Sequence, residues 1–63
     1  MSIELLNLLG KVNDNSLVGL SIQHALDCER EEELLYSLKS MAHDYPQIIL
    51  TIIGEKAFDL LKQ

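Results

Sequence analysis

Asp44-Tyr-Pro-Gln-Ile-Ile-Leu-Thr-Ile-Ile-Gly54 is the stretch on which the fold turns. Pro46 disfavours a helical conformation at Tyr45 and suits the first turn of a new helix, where its missing N–H would have had no intrahelical acceptor. A helix is therefore expected to start there, with Ile49, Leu50, Ile53, Ala57, Leu60 and Leu61 forming one broad apolar stripe. Ile48, Ile52 and Phe58 fall on other faces, as in an element packed on more than one side. The β-branched residues of 48–53 also permit a strand ending at Gly54. No second strand-like run occurs in the chain, so such a strand would have to pair between chains.

Upstream, residues 17–42 contain no Pro and only one Gly, Gly19, so propensity alone would allow one long helix. The apolar positions oppose this. At about 100° per residue, Leu17, Val18, Ile22, Ala25 and Leu26 centre on one face, and Leu34, Leu35, Leu38, Met41 and Ala42 centre roughly 160° away from it. Either a continuous helix meets two different partners, or the chain turns within Asp27-Cys-Glu-Arg-Glu-Glu-Glu33 with Asp27 capping a new helix. The turn is the favoured reading. Nearer the start, Ser2 is the expected N-cap of a helix carrying Ile3, Leu5, Leu6, Leu8, Leu9 and Val12, with Gly10 at its end. Lys11-Val-Asn-Asp-Asn-Ser16 has turn chemistry, and Asp14, Asn15 or Ser16 is expected to cap the next helix. The fold class that follows is all-α, a single small helical domain over residues 1–63 with three or four short helices in a hairpin-like arrangement.

Apolar residues make up 48% of these 63 residues, with no Trp, one Phe and two Tyr. A domain of this length buries only roughly 60% of the surface its unfolded chain exposes. The surplus predicts association, as an intertwined or packed homodimer, through Ile49, Ile52, Ile53, Phe58 and Leu61.

Ten Asp and Glu oppose five Lys and Arg, for a formal charge of −5. The cations Lys11, Arg30, Lys39, Lys56 and Lys62 are scattered singly, which disfavours a phosphate backbone as partner. The residues Asp27, Glu29, Glu31, Glu32 and Glu33 form the most concentrated acidic segment. They read as a solvated helix start or, more sharply, as a recognition surface for a basic protein patch. A helix-turn-helix regulator is the alternative, with residues 16–26 followed by 29–42, but its recognition helix would present glutamates to DNA phosphates.

Chemistry-bearing motifs are sparse. His24 and Cys28 are four apart, the spacing of one helical face, and His43-Asp44 could approach from another helix. No Cys-x-x-Cys or His-Glu-x-x-His accompanies them, so neither a metal nor another cofactor is expected. A Cys–His nucleophile would further need an orienting group and an oxyanion site, which leaves a non-enzymatic role as the expectation. One cysteine forms no internal disulfide, the N-terminus lacks secretory character, and no apolar run approaches the ~20 residues of a membrane span; the expected compartment is the cytoplasm.

With Ser2-Ile-Glu-Leu-Leu-Asn7, Asn13-Asp-Asn-Ser-Leu-Val-Gly19 and no catalytic motif, the chain resembles the small early proteins of lambdoid bacteriophages, from the region between the exonuclease and excisionase genes. The resemblance covers the general character of the whole chain and carries no site motif. It implies an early-expressed protein of the bacterial host cytoplasm that influences phage development through host or phage protein partners.

Overall fold

The structure, a computed structural model, describes residues 2–63. Five helices follow one another: α1 Ile3–Gly10, α2 Leu17–Asp27, α3 Glu31–Asp44, α4 Pro46–Ile53 and α5 Glu55–Leu61, with no strand among the described residues. Ser2 caps α1 by accepting from the Leu5 amide at 3.2 Å. Of the three candidate caps for α2, Ser16 fills the role, accepting from the Gly19 amide at 3.1 Å.

The chain does turn between α2 and α3, but Asp27 is the last residue of α2 and not the N-cap of α3. The reason is a Schellman motif. The Glu29 amide donates to the Leu26 carbonyl at 3.2 Å and the Arg30 amide to the Ala25 carbonyl at 2.8 Å. The second bond requires Glu29 in the left-handed region, where its φ is 57°. Arg30, without a side-chain cap bond, then leads into a first turn of Glu31, Glu32 and Glu33, which compensates the helix dipole.

Residues 48–53 are helical, so the strand alternative is set aside, and Pro46 opens α4 as expected. The helix does not run on to Leu61, however. Gly54, at φ 89° and ψ 162°, separates α4 from α5, giving five helices where three or four were expected. Those angles lie in a region reserved almost wholly for glycine. The break lets the two short helices bury different faces: Ile49 and Ile53 from α4, and Ala57, Phe58 and Leu61 from α5.

One aliphatic side chain from each helix defines the centre. Leu9, Ile22, Leu38, Ile49 and Leu61 are the largest fully buried residues. Leu5, Leu34, Ile53, Ala57 and Phe58 extend this core. The helix α3 packs against α2, α4 and α5, whereas the main neighbours of α2 are α1 and α3 alone. A Lys56–Glu4 ion pair at 3.1 Å ties α5 to α1, but both groups are largely exposed and the pair adds little.

The two special backbone positions should respond oppositely to substitution. Gly54→Ala is expected to lower stability by about 1–3 kcal/mol, whereas Glu29→Gly should raise it by about 0.5–1 kcal/mol through relief of left-handed strain. Urea denaturation followed by circular dichroism measures both, and equal responses would contradict this backbone account.

Candidate functional site

The helix α2 is held in place from its outer end. Asp14 accepts from the Ser16 amide at 2.7 Å, and hydrogen bonds from the Ser16 side chain and backbone hold its carboxyl below its ordinary pKa. The Asp14 carbonyl lies so close beneath Gly19 that any Cβ there would collide with it, and the Asp14 Cβ would be 2.8 Å away. Gly19 is therefore the residue that lets the preceding turn seat against the first turn of α2. One turn later, Gln23 Nε2 donates to the carbonyls of Leu9 and Val12, each at 3.1 Å. These bonds tie α2 to the last turn of α1 and to the segment just after it.

With one flank of α2 spent on α1, its other flank faces α3 across an open groove of about 310 Å³. Leu17, Val18, Ser21, Ile22 and Ala25 form one wall; Leu34, Ser37, Leu38 and Met41 form the other, with Arg30 and Glu33 also lining it. Ile22, Leu34 and Leu38 are buried and make the floor, while Leu17 at the rim is 84% exposed. The acidic segment adjoins this groove. Glu29, Glu31, Glu32 and Glu33 surround Arg30 in a shallow depression that shares Arg30 and Glu33 with it. A further hollow of about 340 Å³ lies between α3 and the end of α5, bordered by Lys39, His43 and Lys62. Lys62 there lies over the Phe58 ring, 4.8 Å from its centroid.

The two groups of residues singled out in the sequence have different fates. Asp27, Glu29, Glu31, Glu32 and Glu33 are brought together around the α2–α3 turn, Glu31 half-buried and the others exposed. Ile49, Ile53, Phe58 and Leu61 are instead buried within the single chain, and Ile52 is half-buried. The small domain absorbs its C-terminal stripe because the break at Gly54 folds that stripe onto α3 and α1. The exposed large apolar side chains lie elsewhere and include Ile3, Leu17, Leu20 and Ile48. The sequence signal for the groove is the pair of small residues, Ser21 and Ala25, that follow Leu17 at four-residue spacing on one face of α2.

His24 Nε2 and the Cys28 Sγ are 3.7 Å apart. The turn does not spoil this spacing, because the helix runs through Asp27 and Cys28 is its C-cap. His43 pairs separately with Asp44 at 3.2 Å. Among the described residues no group of three or more His, Cys, Asp or Glu is placed to hold a metal ion, and no helix is long and apolar enough to cross a membrane.

No protein-family model, curated protein or solved structure matches this chain. The site is therefore read from its own geometry.

Two aspartate substitutions separate core from rim. Ile53→Asp should unfold the chain, because a charge would be buried without a partner, whereas Leu17→Asp should leave stability within about 0.5 kcal/mol of the parent. Thermal melts read by circular dichroism check both, and a fully helical, unchanged Ile53→Asp variant would refute the core assignment.

Proposed function

We propose that this chain is a non-enzymatic interaction protein whose function lies in contacts with other proteins. The observation that carries this reading is the juxtaposition of an open apolar groove with a ring of glutamates at its end. Apolar area supplies affinity in such a surface, and charge selects the partner and steers the encounter. Under the resemblance to lambdoid phage early proteins, the role is that of an early regulator acting in the host cytoplasm through host or phage partners.

Self-association belongs to this proposal in altered form. A homodimer of this fold draws on exposed side chains such as Leu20, Ile48 and Ile3, because the C-terminal anchors already serve the core.

The helix-turn-helix alternative has the shape of α2 and α3 in its favour, joined by only Cys28, Glu29 and Arg30. Its electrostatics are adverse. The first turn of α3 holds three glutamates, which flanking phosphates would repel. Sedimentation equilibrium over a wide concentration range, run beside duplex-DNA binding at several salt concentrations, tests the proposal. A helical species near twice 7.1 kDa would support self-association, and a DNA complex that weakens steeply with salt would replace the interaction reading with the regulator one.

A further inference from the structure

Resting on the interaction reading above, we propose that the α2–α3 groove receives an amphipathic helix of another protein, one whose apolar stripe ends in Lys or Arg residues. Three properties of the groove specify this occupant. Its walls are two helix faces stepped every three or four residues, Leu17–Ser21–Ala25 and Leu34–Ser37–Met41, a spacing into which side chains at i, i+4 and i+7 of a third helix interdigitate. Ser21, Ala25 and Ser37 are small, so the backbone of that helix can approach closely while Leu17 and Met41 flank its apolar side chains. At the turn end the groove opens onto Glu29, Glu31, Glu32 and Glu33, with Arg30 the one cation among them. An incoming helix gains there by carrying cations.

Charge also argues against a second copy as the occupant. Each chain carries a formal charge of −5, and none of the five described helices has more than one Lys or Arg to offer the glutamate cluster. Lys39 and Lys62 do meet beside a hollow of the same chain, but it lies between α3 and the end of α5, and a pair of identical chains still doubles the net negative charge. Cations from a different protein compensate it directly, and long-range attraction raises the rate of their encounter.

The test uses the full chain, isotope-labelled for NMR, and two synthetic peptides of about 16 residues, long enough for roughly four helical turns. Both carry Leu at i, i+4, i+7 and i+11; one has Lys and Arg at an end of the stripe, the other Glu at the same positions. The basic peptide should shift amides of residues 17–25 and 29–41 and bind at least about tenfold more tightly than the acidic one, a difference that shrinks with salt. Ser21→Trp fills the groove from an exposed position without changing charge, and should weaken the basic peptide by about tenfold or more. Glu33→Gln should weaken it less. Unchanged circular dichroism of both variants guards against misfolding.

Equal binding of the two peptides, shifts confined to another face, indifference to Ser21→Trp, or no binding of either peptide at millimolar concentration would overturn this assignment. So would a dimer that Ser21→Trp dissociates, since a second copy would then fill the groove. Those results concern the occupant alone, whereas a salt-sensitive complex with duplex DNA would overturn the interaction reading itself.

Discussion

Mutual burial of five aliphatic side chains, one from each helix, is the interaction on which everything else in this protein rests. Leu9, Ile22, Leu38, Ile49 and Leu61 meet at the centre, and no single helix here is long enough to be stable apart from the others. The longest, α3, has 14 residues, and α5 has seven. Each helix therefore exists because its neighbours cover it, and the hydrophobic term is shared rather than local. The caps at Ser2 and Ser16, the Schellman turn at Glu29 and the break at Gly54 decide where the segments end. Packing decides that they persist.

This dependence explains what the sequence could and could not disclose. The helix starts at Ser2, Ser16 and Pro46 were legible because capping and N1 chemistry are local, carried by one or two residues. The turn near Cys28 was legible from the rotation between the apolar faces of residues 17–26 and 34–42. Its placement was not, because a left-handed glutamate gives no compositional warning of the kind a glycine gives. Gly54 did give that warning, but an isolated glycine inside a helical pattern is compatible with a continuous helix. Its φ depends on whether the stripe packs on one surface or two.

The candidate site was legible in the same uneven way. Residues adjacent in sequence, Glu29 to Glu33, were certain to be neighbours in space. Ile49, Ile53, Phe58 and Leu61 were recognisable as strongly apolar, but apolarity does not distinguish an intramolecular core from an intermolecular one. The distinction emerged from Gly54, which lets α4 and α5 wrap the core from two directions. With that stripe buried, the open apolar feature is the groove between α2 and α3. Gln23 and Gly19 seat α2 through a side-chain amide that makes two hydrogen bonds and through a missing Cβ, neither of which leaves a periodic trace.

The connections between the helices carry a consequence for how the chain reaches this state. Only Tyr45 separates α3 from α4, only Gly54 separates α4 from α5, and three residues separate α2 from α3. Closing such short loops costs little chain entropy, and helical domains assembled mainly from sequence neighbours belong to the topological class that folds in microseconds to milliseconds. The isoleucine-rich α4 thus has both of its chain neighbours, α3 and α5, attached through single residues, which favours its burial within its own chain over exposure to other chains.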